Sequence, residues 1–148
     1  MTSRSWLAGI AFAMLAVSLP AAAALGGDVA SVEVDQTRLD AVLRATPAYQ
    51  FTQFELQLPS GATVREYVSV GGTVFALTWE GPALPDLRQL LSSYFQQYVD
   101  AIQGGGPGAR VIRQSGLVVF SGGHLRAFRG RAYVPQLQPP GVAAEELQ

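Results

Sequence analysis

The chain has 148 residues, of which 49% are hydrophobic and 14% charged, with a formal net charge of -1. This fits one globular unit with a buried core and gives no electrostatic reason to expect nucleic-acid binding. There is no cysteine, one histidine and no lysine, which excludes disulfides, thiol catalysis, iron-sulfur clusters, zinc fingers, Schiff-base chemistry and a phosphate-binding P-loop.

At the start, Arg4 is followed by an apolar run from Trp6 to Leu19, then Pro20 and small residues up to Ala24. That is the order of a secretory signal peptide spanning residues 1–24. Cleavage after Ala24 would leave Leu25 as the first mature residue, and cleavage one residue earlier fits almost as well. Pro20 and the alanines argue against a retained membrane span, so an exported protein, periplasmic or extracellular, is expected.

In residues 25–135 a single α+β domain is expected. Thr37 and Asp40 read as a capping box for a short helix over residues 36–45, which Pro47 would end. Alternation at Phe54, Leu56 and Leu58, a turn at Pro59-Ser60-Gly61, and a two-residue loop at Gly71-Gly72 predict a three-stranded meander ending at Glu80. Next, apolar residues at Leu87, Leu90, Leu91, Tyr94, Phe95, Tyr98, Val99 and Ile102 keep helical spacing, predicting one long amphipathic helix from Pro85 to Gly104. A glycine-rich connector at residues 104–108 leads into a second meander: residues 110–114, 117–121 and 124–128, with turns at Ser115-Gly116 and Gly122-Gly123. The fold expected is therefore an antiparallel sheet from two three-stranded meanders, a long helix between them and a short N-terminal helix. Residues 136–148 read as a tail.

Three groups of residues could carry chemistry. If Gly122-Gly123 is a turn, Ser121 lies opposite His124 and Val119 opposite Arg126. Ser121 and His124 are then candidates for a nucleophile and its base, although no G-x-S-x-G elbow is present. A second group is electrostatic. Residues 101–144 contain Arg110, Arg113, Arg126, Arg129 and Arg131 and no acid, whereas residues 25–100 hold nine acids against four arginines. A surface bearing His124, Arg126, Arg129, Arg131 and Arg110 suits an anionic ligand, because guanidinium binds oxyanions bidentately, while neutralisation by the acidic half is the plainer alternative. Third, Glu66 is expected opposite Leu77 on an apolar face with Val64, Val68, Phe75 and Trp79. There it needs a cation such as Arg126, or its pKa rises. One histidine and scattered carboxylates offer no metal site, and no cofactor is expected.

Arg65-Glu66-Tyr67-Val68, Gly81-Pro82-Ala83-Leu84-Pro85-Asp86-Leu87, and above all Ser121-Gly122-Gly123-His124-Leu125-Arg126-Ala127-Phe128 resemble the family called domain of unknown function 2844. The resemblance implies a small exported bacterial protein and carries over no catalytic residues. The function expected is a non-enzymatic module that recognises an anionic envelope ligand or an envelope protein. The alternatives are a small serine-type hydrolase using Ser121 and His124, and an envelope assembly subunit that pairs through a sheet edge.

Overall fold

The computed structural model describes residues 24–103, 110–114 and 116–148. Residues 1–23 of the expected leader (residues 1–24), the glycine connector and Ser115 lie outside the described residues.

The first helix begins earlier than expected. Asp28 caps helix α1 (Val29–Arg38) by accepting from the Ser31 amide at 3.1 Å, so the capping role expected of Thr37 falls to Asp28. Thr37 instead donates to the Glu33 carbonyl within the helix. Asp40, at a φ of 51°, turns the chain out of the helix. Residues 42–45, expected to be helical, instead belong to strand β1 (Val42–Pro47), in which Leu43 pairs with Leu56 and Pro47 occupies the last position. The apolar pair Val42-Leu43 fits either period, and pairing with a neighbouring strand decides between them.

β1 opens a four-stranded meander with β2 (Phe51–Gln57), β3 (Thr63–Ser69) and β4 (Val74–Gly81). Helix α2 (Leu87–Leu91), a single 3-10 turn and helix α3 (Phe95–Gln103) follow. The one long helix expected here is broken because Ser92 takes a φ of 48°. Strands β5 (Arg110–Gln114), β6 (Leu117–His124) and β7 (Ala127–Tyr133) complete a single antiparallel sheet in the order β1-β2-β3-β4-β7-β6-β5. The two meanders are thus one sheet, joined where β4 pairs with β7.

Every residue of β4 from Val74 to Trp79 is buried, so this central strand needs cover on both faces. On one face Leu77 and Trp79 join Leu56, Val64 and Val119 beneath Val32 of α1 and Leu87, Leu90 and Leu91 of α2. On the other, Tyr67, Phe75 and Tyr133 pack against Ala144, Val142 and Leu147, with the Phe51 and Tyr67 rings edge to face at 5.6 Å. The segment after Pro135 therefore lies on the sheet as a strap. The Tyr67 hydroxyl donates to the Gln148 backbone oxygen at 2.5 Å, and the Tyr133 hydroxyl donates to Glu145 Oε1 at 2.5 Å. Burial, followed for Tyr133 by the neighbouring Glu145, raises both phenol pKa values.

Two local departures in the β3–β4 hairpin cancel. The loop is longer than two residues, since the Ser69 amide donates to the Thr73 carbonyl and that of Gly72 to the Ser69 carbonyl. A bulge beside Tyr67 and Val68 absorbs the extra residue, so Glu66 still pairs with Leu77 as expected. The bulge turns Phe75 to the strap side, away from the face on which it was expected.

The β6–β7 turn differs more. Gly122 and Gly123 lie inside β6, and the loop is Leu125-Arg126, with Arg126 at a φ of 66°. Those glycines are needed for close approach: a Cβ on Gly123 would sit 2.1 Å from the Ala127 carbonyl oxygen. Gly130 has a similar role, because it pairs with Trp79 and a Cβ there would lie 2.2 Å from Trp79 Cζ2.

Gly130→Ala is expected to lower stability by about 3 kcal/mol, since neither the indole nor the neighbouring backbone has room to move. Gly72→Ala, with nothing within 4 Å but a φ of 84°, should cost only the backbone strain, about 1 kcal/mol. Urea denaturation of the two variants beside the parent checks both values.

Candidate functional site

The observed register separates the proposed nucleophile from its base. Ser121 pairs with Gly130 and His124 with Ala127, in place of the expected pairing with each other. Three positions apart on one strand, their side chains point to opposite faces. Ser121 borders a hollow of about 400 Å³ on the helix side, together with Tyr98, Arg110 and Phe128. His124 stands exposed at the hairpin tip, its Nδ1 3.3 Å from the Leu125 carbonyl oxygen.

Arg110 pairs with Ser121, and its guanidinium donates to the Ile102 carbonyl at 2.9 Å. It therefore satisfies an orphan carbonyl at the end of α3, a structural use for a residue expected to contact ligand.

The other arginines gather on the strap side. A groove of about 440 Å³ is bordered by Arg65, Thr78, Phe120, Arg129, Arg131 and the strap residue Leu147. A neighbouring hollow of about 590 Å³ is bordered by His124, Arg126, Phe128 and Pro82, and both concavities share Glu80 and Arg129. Cross-strand register builds this surface: Arg65 faces Thr78, Thr78 faces Arg131, and Glu80 faces Arg129.

Arg65 is already neutralised, with Glu55 at 3.0 Å and Glu80 at 2.8 Å. All eleven acids of the chain fall among the described residues, and none lies within ion-pair distance of Arg126, Arg129 or Arg131. Arg131 packs 5.6 Å over the Phe120 ring and donates to the Glu145 backbone oxygen. Arg126 and Arg129 are exposed. The acidic half thus pairs with its own Arg65 and leaves Arg126, Arg129 and Arg131 outside any ion pair, with the Glu80 carboxylate on the border of both concavities.

Glu66 belongs to neither concavity. It is fully buried and meets no cation; the arginine partner expected for it, Arg126, is at the hairpin tip. The group within hydrogen-bonding reach is the carboxyl of Asp35, itself fully buried on α1. Gln89 Nε2 donates to Asp35 Oδ1 at 2.5 Å, and Arg38 donates to Gln89 Oε1 at 2.8 Å. Burial, then the adjacent Asp35 charge, raises the Glu66 pKa well above the usual carboxylate value; burial also raises that of Asp35, against the pull of Gln89. Two facing carboxyls are a familiar acid-base arrangement, but Asp35 and Glu66 border none of these three concavities. Sequence reading placed Glu66 correctly and missed its partner, because the helix carrying Asp35 was expected further along the chain.

No cluster of three metal-ligating side chains occurs among the described residues, and no helix there is long and apolar enough to cross a membrane. A family model described as "protein of unknown function (DUF2844)" matches residues 21–147. No curated protein and no solved structure matches.

With Ser121 and His124 apart, any slow hydrolysis of a chromogenic ester by the protein should be unchanged, within about twofold, in Ser121→Ala and in His124→Ala. A loss of 100-fold or more in both variants would restore the hydrolase reading.

Proposed function

The chain belongs to the family of proteins of unknown function DUF2844, and from that premise we propose that it is an exported, non-enzymatic module that binds an anionic ligand on the strap-side surface around Arg129. The observation that carries this reading is the set of guanidiniums at Arg126, Arg129 and Arg131 bordering two adjoining concavities without a carboxylate partner. Guanidinium forks hold phosphate, sulfate or carboxylate oxygens bidentately, and such charge-assisted bonds are worth about 1.5–3 kcal/mol each. Phe120 and Phe128 add apolar walls, so the ligand class is an anion with some carbon surface, such as a headgroup or an acidic saccharide.

Export is supported by the order of the first residues. Of the two cleavage positions, the earlier suits the packing better. Ala24 is fully buried, its carbonyl accepts from the Gly27 amide at 2.8 Å, and the Leu25 amide donates to the Leu90 carbonyl at 3.0 Å.

The binding test uses inorganic phosphate, a sulfated polysaccharide and phosphatidylglycerol vesicles at low and high salt. It compares the parent with an Arg126→Ala, Arg129→Ala double variant; these two side chains are exposed and without an ion-pair partner, so the fold should survive. Saturable binding that weakens with salt and falls at least tenfold in the variant is the expected result. If neither protein binds any of the three probes, the anionic-ligand reading is lost. The exposed edge strand β1, where Val42 is 65% exposed, then becomes the surface to examine, through the concentration dependence of light scattering. For the processed protein, intact-mass measurement should find Ala24 as the first residue.

A further inference from the structure

Helix α1 sits on the sheet with little apolar contact to hold it. Its buried residues are Ser31, Val32 and Asp35, so Val32 is the one fully buried apolar side chain it contributes. The N-terminal end is tied by backbone bonds between Gly26, Gly27 and Val74, and the C-terminal end by Arg38 to Gln89. In the middle, the contact with the sheet is the Asp35–Glu66 carboxyl pair. Neither Glu66 oxygen has a hydrogen-bond donor, nor has Asp35 Oδ2, and all three are buried. Two ionised carboxylates in that position would repel each other with no water to screen them. A single proton between them supplies the missing donor and removes one charge.

We propose that Asp35 and Glu66 share one proton across the interface between α1 and β3, and that this proton is the latch holding α1 down, so that its loss as pH rises lets α1 lift while the sheet stays folded. The groups facing the pair can be named for each element. Arg38 on α1 favours the remaining negative charge and Asp86, ahead of α2, opposes it. Gln89 on α2 is neutral and donates to Asp35. Phe54 on β2 and Leu77 on β4, the residues paired with Glu66, are apolar.

The sign follows from proton counting. In the docked state the pair keeps a proton above the ordinary carboxylate range, whereas in the lifted state both carboxyls are in water and ionised. The docked state therefore binds one more proton, and docking weakens as pH rises from the ordinary carboxylate range through the raised pKa of the pair. Within that window the equilibrium constant for lifting grows about tenfold per pH unit. The strip of sheet around Glu66, Phe54 and Leu77 is what lifting would uncover.

Amide hydrogen exchange on the full chain from about pH 5 to about pH 9, corrected for the intrinsic pH dependence of exchange, tests this directly. In the parent, α1 amides should exchange about tenfold faster per pH unit while those of β3 and β4 keep their protection. In Glu66→Gln, whose amide can donate to Asp35, the α1 slope should vanish. Infrared spectroscopy of the parent at neutral pH gives a second reading that needs no variant: a protonated carboxylic acid band should be present. Absence of that band, an unchanged α1 slope in Glu66→Gln, or α1 and β3 losing protection in parallel would each overturn the proposal.

Discussion

The whole architecture depends on the burial of β4 on both faces. An antiparallel sheet commonly leaves one face to water, and its strands then alternate in polarity. Here Val74 to Trp79 carry no exposed position, so the sheet is stable only with two covers. The helices supply one and the strap after Pro135 the other. Removing polar backbone and apolar side chains from water on both sides sets demanding local conditions, and the close approaches at Gly123 and Gly130 meet them. Trp79 can lie across β7 because its partner there has no side chain.

The two covers differ in kind. The strap adds Val142, Ala144 and Leu147 to an aromatic cluster and ties itself down with phenol and guanidinium hydrogen bonds. The helix cover is mainly apolar under α2, but under α1 it is polar, and polar contact in a dry place is conditional on protonation state. Such a contact specifies one docking position well and stabilises it weakly, which is a combination suited to an element that moves.

Much of this was legible in the residues, and the misses have physical causes. The α+β class and the antiparallel pairing follow from alternation and turn chemistry, whereas the Glu66–Leu77 pairing matches expectation because the longer loop and the bulge offset each other. The glycine pairs were the main source of error. Gly71-Gly72 does sit in a turn, whereas Gly122-Gly123 lies in a strand, where it allows close approach to Ala127. Glycine reports a backbone without a Cβ, and a turn is only one reason to need that. The misplaced β6–β7 turn created an apparent Ser121–His124 dyad. The arginine-rich half was legible by simple counting, but which arginines remain unpaired depends on Glu55, Arg65 and Glu80 meeting across strands. The strap was invisible because its anchors are spread thinly and its burial rests on a face that local sequence does not reveal.

The β4–β7 pairing also bears on when the fold can close. β1 to β4 are joined by short hairpins and can assemble from local contacts, as can β5 to β7. The junction between them links residues far apart in sequence and carries the loop-closure cost, and the second face of β4 stays wet until the last residues arrive. Half a chain is therefore half a core. The helices can cover one face of the first meander as soon as α2 has formed, but its other face has no cover until Val142, Ala144 and Leu147 have joined Tyr67 and Phe75.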